Sequence, residues 1–185
     1  MPILPAEPDV YPPGLFEGTA TMGERAWWVL HTKPRQEKAL ARQMYQAGVP
    51  FYLPLLQRKN LIRGRLMQSC VPLFTSYLFL LADGAERILA LATRRVVKSL
   101  QVRQQQQLWE DLTQVNRLIH SGMPVTPEQQ LFPGASVVIR SGLLAGLKGK
   151  ILRSANRRRF VVLVDFIQQG ASVVIEDYML DAIKE

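Results

Sequence analysis

The side chains able to do covalent or acid–base chemistry in this chain are few, and their spacing does not suit it. There are two histidines, His31 and His120, and one cysteine, Cys70. Metal sites and nucleophilic triads need such groups within a few ångströms of one another, and ligand pairs a few residues apart are the usual sequence sign of it. None of the three has that neighbour. Asp83 with Glu86, and Glu176 with Asp177, form no acid/base pair of recognisable spacing. The expectation is therefore a protein that is not an enzyme and that carries neither metal nor cofactor.

What the chain does carry is positive charge in one place. Its net charge is +8. Residues 1–25 have one Arg against four acids, for −3, and residues 124–185 have eight Lys or Arg against six, for +2. The middle, residues 26–123, has fourteen Lys or Arg against five acids, for +9. A basic segment of that kind attracts polyanions without chemistry, so nucleic acid is the natural partner class, against the plainer reading of a solvated basic face. No apolar run approaches the ~20 residues that span a bilayer, so no membrane role is expected. The start lacks a basic region followed by an apolar one, so no signal peptide is read. With one cysteine, no disulfide can form within the chain, and a cytoplasmic setting follows.

The elements that must position these residues can be read from period and punctuation. Residues 1–25, dense in Pro and Gly, read as a flexible arm in which Tyr11-Pro-Pro-Gly-Leu-Phe16 could dock on a surface. Trp27 to His31 is aromatic and β-branched, hence a strand. A helix should follow, capped by Thr32, with Pro34 in its first turn and Gly48 past its end. Leu40, Met44 and Ala47 fall on its apolar stripe, and Arg35, Lys38 and Arg42 on the opposite one. Phe51 to Leu56 is a second strand, and Leu61 to Met67 a basic hairpin turning near Gly64. A strand to Leu80, a helix from Ala85 to Thr93, a strand from Val96 to Val102 and a helix ending at Gly122 complete residues 26–122. Short connections favour an antiparallel sheet with helices packed on it, an α+β domain. Residues 123–132 read as a linker. Residues 133–185 hold about five short strands, which suggests a small β-barrel.

Pro133-Gly134-Ala-Ser-Val137-Val-Ile139-Arg-Ser-Gly142-Leu-Leu144-Ala-Gly146-Leu-Lys-Gly149-Lys-Ile151 resembles the KOW motif, with Gly142, Gly146 and Gly149 allowing positive φ and close backbone approach. It is no phosphate cradle, since the Walker Lys-Ser/Thr pair and the following helix are missing. Upstream, Trp27 to Glu37, Phe51-Tyr-Leu-Pro-Leu55 with its basic hairpin, Val71-Pro-Leu-Phe-Thr-Ser-Tyr-Leu-Phe79 and Ala92-Thr-Arg-Arg-Val96 resemble the NusG N-terminal (NGN) domain. NGN followed by an SH3-like KOW barrel covers residues 27–185. The chain resembles the NusG/RfaH family, and the Leu61-Ile-Arg-Gly-Arg65 and Leu30-His-Thr-Lys33 segments are similar to specialised paralogues more than to a housekeeping NusG.

The resemblance implies a monomeric transcription elongation and antitermination factor. Its NGN domain would dock on the clamp helices of the largest subunit of RNA polymerase through His31, Tyr52, Phe74 and Tyr77. Lys33, Gln36, Arg42, Thr93 and Arg94 would meet the non-template DNA strand, with Gln36 able to read a base edge. Leu144, Leu147, Phe166 and Ile167, with the KOW glycines, would build a contact for Rho or the small ribosomal subunit. A ribosome- or RNA-associated KOW protein without a polymerase role is the alternative. Two departures stand out: Thr75-Ser76 replaces the family's Pro-Gly or Pro-Asn, and Arg95 stands where the family tends to have Gly. The intact glycines and the β-branched clusters at Val137–Ile139 and Val161–Val162 predict strands, not a helical hairpin, in the C-terminal segment.

Overall fold

The computed structural model describes residues 8–18, 23–62, 65–128, 134–154, 157–174 and 180–182. Arg63, Gly64, Glu176 and Asp177, named above, lie outside them, as do residues 129–133 of the expected linker and the start of the next segment. Backbone contacts divide the chain into two compact units, Met1–Gln105 and Gln106–Glu185.

The first unit is built on a five-stranded antiparallel sheet. Its strands are β1 (Val10–Tyr11), β2 (Ala26–Thr32), β3 (Phe51–Tyr52), β6 (Tyr77–Ala82) and β7 (Val96–Gln101), in the order β1-β3-β6-β2-β7. Between β3 and β6 the hairpin of β4 (Leu55–Ile62) and β5 (Arg65–Pro72) forms a separate two-stranded ribbon. Pro54 explains why the expected strand from Phe51 to Leu56 is cut in two: proline cannot donate to a ladder, and β3 ends at Tyr52.

On β2, Trp28 and Leu30 face the helices. Leu30, Leu78, Leu80 and Phe51 form one core with Leu40, Ala41 and Met44 of α1 (Glu37–Gln46) and Ala90 of α2 (Gly84–Ala92). Arg87 of α2 lies over the Trp28 ring at 4.3 Å, a cation–π contact that covers the core's edge.

The helix ends differ in how well their sequences announced them. Asp83 and Glu86 make a reciprocal capping box at the start of α2, each side chain bonded to the other's backbone N–H. Glu86 also accepts from Arg25 at 2.6 Å, and that bond holds its carboxyl below the usual carboxylate range. Thr32, expected as the cap of α1, is instead the last residue of β2, and the cap position is Gln36. The reason is a left-handed residue, Arg35 at φ 62, which keeps the chain out of helix until Glu37. Ala47 consequently sits at the exposed C-terminal cap rather than on the buried stripe.

The segment expected as a free arm is partly bound. Val10 and Tyr11 pair with Tyr52 and Phe51, and the Leu53 N–H donates to Asp9 O at 2.6 Å. Phe16 stacks on Trp27 at 6.4 Å and meets Tyr52 edge-on at 4.8 Å. The aromatic patch thus docks on the chain's own sheet.

The second unit holds most of α3 (Gln105–His120) and a six-stranded antiparallel sheet. Its strands are β8 (Thr126–Glu128), β9 (Ser136–Ile139), β10 (Lys148–Ser154), β11 (Arg157–Val164), β12 (Gln169–Val174) and β13 (Leu180–Ala182), in the order β13-β9-β10-β11-β12-β8. Three polar residues at helical spacing on α3 grip backbone groups of this unit. Asp111 accepts from the Asp165 N–H at 3.1 Å, Gln114 from the Lys148 N–H at 2.7 Å, and Arg117 donates to Ala145 O at 2.9 Å.

β8 lies inside the segment read as a linker. Its Glu128 accepts from the Ser172 hydroxyl at 2.6 Å and pairs with Arg159 at 3.1 Å, which holds it to the sheet edge. A closed barrel would need the outer strands β8 and β13 to pair. No such ladder is present among the described residues, so the antiparallel sheet is found and the expected closure is not.

Candidate nucleic-acid interface

The C-terminal end of β2 is where the basic residues converge. The Thr32 N–H donates to Ser76 O and the Lys33 N–H to Arg95 O, both at 2.8 Å, so this end is tied on one side to the turn before β6 and on the other to the turn after α2. Four non-glycine residues have positive φ among those described, and three of them ring this point: Arg35 (62°), Ser76 (65°) and Arg94 (58°). Left-handed backbone costs an L-residue about 1–2 kcal/mol and collects at functional sites. Ser76 stands where glycine or asparagine would ease that conformation. Its N–H donates to the buried carboxylate of Glu37 at 2.7 Å, which joins the start of α1 to the turn.

Between the β2–α1 loop and the turn after α2 lies a cleft of about 460 Å³, lined by Lys33, Pro34, Gln36, Thr93, Arg94 and Arg95. Four residues singled out from sequence, Lys33, Gln36, Thr93 and Arg94, thus meet although nearly sixty positions separate the two segments. Arg42 is exposed on α1 and does not line it. No carboxylate lines the cleft.

Lys33 and Arg94 are exposed. The Thr93 hydroxyl donates to Ala90 O at 2.7 Å and accepts from the Arg95 N–H at 3.2 Å. Arg95 is the residue that the selection from sequence omitted. Its guanidinium donates to Gln36 Oε1 through Nη1 and to Gln43 Oε1 through Nε, the latter at 3.1 Å. The sign available was the seven-residue spacing of Gln36 and Gln43, two turns of one helix face.

The aromatic set divides. His31 and Tyr77 are half-buried and face each other across the β2–β6 ladder. Tyr52 and Phe74, expected on a docking face, are 0% and 1% exposed. Phe74 packs edge-on against Phe79 at 6.1 Å. Tyr52 lies between Phe16 and Phe79, and burial pushes its phenol well above the ordinary range. Neither ring is offered to a partner in this conformation.

In the second unit Gly142 and Gly146 have φ 88° and 85°, and the Gly146 N–H donates to Ile139 O. A Cβ on Gly149 would run into the carbonyl oxygen of Val161 and the Phe160 ring, so only glycine fits there. Leu144 and Leu147 are core, at 4% and 0% exposure, whereas Phe166 is exposed and Ile167 half-buried. The apolar residue the turn does present is Leu143, 82% exposed, one position from the pair picked out by sequence.

Chemically, the cleft at the end of β2 is basic and lined by hydrogen-bond donors, on an α+β domain. Among the described residues no group of three or more His, Cys, Asp or Glu could hold a metal ion. No helix is long and apolar enough to cross a membrane.

The family described as "Transcription termination factor nusG" matches residues 25–129, more than half of the chain. The chain belongs to the NusG family, a family of transcription factors. Two solved structures are similar. "Domain interaction in Thermotoga maritima NusG" is 15% identical, covers 86% of this chain and 98% of its own, with a TM-score of 0.45. The MjSpt4:Spt5 complex is 12% identical over 86% and 97%, with a TM-score of 0.28. No curated protein matches in sequence.

Proposed function

We propose that the chain is a cytoplasmic, monomeric bacterial transcription elongation and antitermination factor of the specialised RfaH-like kind. Its first unit docks on the clamp helices of RNA polymerase and holds the displaced non-template strand, which suppresses pausing or termination. The observation that carries this reading is the convergence of Lys33, Gln36, Thr93 and Arg94 on one acid-free cleft at the end of β2. Cations there attract phosphates without sequence preference, and Gln36 can meet a base edge. His31 and Tyr77 supply the polymerase contact, and Tyr52 and Phe74 support the strands beneath it.

Binding that bridges polymerase and DNA favours one of two polymerase states only through its differential affinity for that state. The second unit, with the KOW motif Gly142 to Gly149, recruits Rho or the small ribosomal subunit. Phe166, Ile167 and Leu143 supply the apolar contact, and Leu144 and Leu147 shape the turn that presents it.

The test is retention of partners by the immobilised full-length chain. Core polymerase should be retained, and photo-cross-linkers in the non-template strand of an elongation complex should label the segments around Lys33 and Arg94. Recovery of small ribosomal subunits without polymerase would replace this reading with the ribosome-associated one.

A further inference from the structure

The docking residues His31 and Tyr77 stand at one end of a sheet face whose other end is closed. Side chains alternate along β2, so Trp27, Val29 and His31 share the side opposite Trp28 and Leu30. Cross-strand partners share a face too. Phe79 and Tyr77 stand opposite Val29 and His31, and Tyr52 stands opposite Phe79. His31 and Tyr77 are half-buried, whereas Trp27 and Tyr52 are both 0% exposed.

Residues 8–18 close that other end. Phe16 stacks on Trp27 and meets Tyr52 edge-on, and Leu15 beside it is 4% exposed. Burial, and after it the charge of Asp9, push the Tyr52 phenol up. Both Asp9 and Phe16 thus bear on this one residue.

The hold is slight. β1 has two residues and pairs at the sheet edge with a strand of two, and the Leu53 N–H adds one bond to Asp9 O. So short an edge ladder opens locally at far less cost than the sheet unfolds. Closure also buries the Tyr52 hydroxyl with no hydrogen-bond partner among the described residues, and opening returns it to water. Against this stands the apolar burial of Leu15 and Phe16. Asp9 and Glu17, in a segment without Lys or Arg, are also drawn to a domain whose residues 26–123 carry +9. These opposed terms are what a two-state element needs.

We propose that residues 8–18 are a strap that regulates polymerase docking: they occupy the Trp27–Tyr52 end of the docking face, and the polymerase displaces them. This rests on the reading that His31 and Tyr77 belong to that face. The apparent affinity for polymerase is then the intrinsic affinity multiplied by the fraction of chains with the strap open. Phe16 acts through the position of the strap and does not itself touch the polymerase.

The experiment uses the full-length chain, its Phe16→Ala variant and core RNA polymerase. Affinity is measured by anisotropy of the labelled chain, and hydrogen exchange by mass spectrometry with fragmentation to single amides. In the free native chain the Leu53 amide should exchange faster than those of β2, which is paired on both sides. Polymerase should speed exchange at Leu15 and Leu53 while slowing it along β2. With the strap open in about one free chain in ten, Phe16→Ala should bind polymerase about tenfold more tightly. Its Leu53 amide should exchange fast before polymerase is added. A ring that only supported the fold would weaken binding when removed.

Unchanged or weaker polymerase binding by folded Phe16→Ala overturns the strap and leaves the docking reading standing. So does a Leu53 amide that becomes more protected in the native complex, a measurement that decides the matter even if Phe16→Ala misfolds. No binding of polymerase by either protein overturns both.

Discussion

The rings of His31 and Tyr77 lie 5.3 Å apart, centroid to centroid, because the two residues stand opposite each other in the β2–β6 ladder. Cross-strand aromatic pairs hold each other's rotamers, so little entropy remains to be lost when a partner covers them. Tyr77→Ala should weaken binding to core polymerase by ~1–4 kcal/mol, as aromatic anchors do, with circular dichroism unchanged. Unaltered affinity in both Tyr77→Ala and His31→Ala would move the docking face elsewhere.

Tyr52 and Phe74 should behave as interior residues. The Tyr52 hydroxyl is buried with no hydrogen-bond partner among the described residues. A desolvated, unpaired hydroxyl costs about 1–3 kcal/mol. Tyr52→Phe should therefore leave the melting temperature unchanged or raise it. Phe74→Ala should cost about 3–5 kcal/mol in chemical denaturation, the range for emptying an aromatic core position. A stable Phe74→Ala with reduced polymerase affinity would show that the ring reaches the partner after all.

Charge in the cleft should read out as salt dependence. Removing one phosphate-binding cation lowers the slope of log affinity against log salt by about one. Lys33→Glu and Arg94→Glu should each flatten the slope for single-stranded DNA, whereas the same change at Lys150, in the second unit, should not. A slope that responds only to changes in the second unit would support the RNA-associated alternative.

Asp111 predicts a pH effect on stability. Burial pushes its carboxyl up to about 6, against the hydrogen bonds from the Asp165 N–H and Gln107, while Asp165 and Glu110 add like charge. Between the unfolded value near 4 and the folded value near 6, the native state binds more protons. Stability contributed by this group is thus fully present below about pH 4 and is lost as pH rises through 6. Asp111→Asn should remove that slope and stabilise the protein at pH 7 by something on the order of 2 kcal/mol, since Gln107 can turn its amide to suit. Equal slopes in the two proteins, measured by denaturant titration from pH 4 to 7, would exclude it.

Local rules made much of this protein legible. Aromatic and β-branched residues mark β2 and β9, and a continuous apolar run marks β6, because strands packed on a core select such residues. The helix expected from Ala85 to Thr93 corresponds to α2, because its helix-forming residues are a local signal. The glycines from Gly142 to Gly149 mark a turn that side chains cannot make. Such features depend on neighbours in sequence, so the sequence by itself determined them, along with the basic middle segment and the family resemblance.

Other features depend on partners that sequence spacing does not name. Thr32 reads as a cap until β2 claims it for two neighbouring strands. Thr126–Glu128 reads as linker until Ser172 and Arg159, more than thirty residues on, supply its bonds. Which rings of His31, Tyr52, Phe74 and Tyr77 reach the surface depends on what Phe16 and Phe79 cover. Arg95 becomes informative only when the turn after α2 brings it over Gln36 and Gln43. Those choices are made by long-range packing, where the energy of each contact depends on the geometry of residues distant along the chain, and only the tertiary structure decided them.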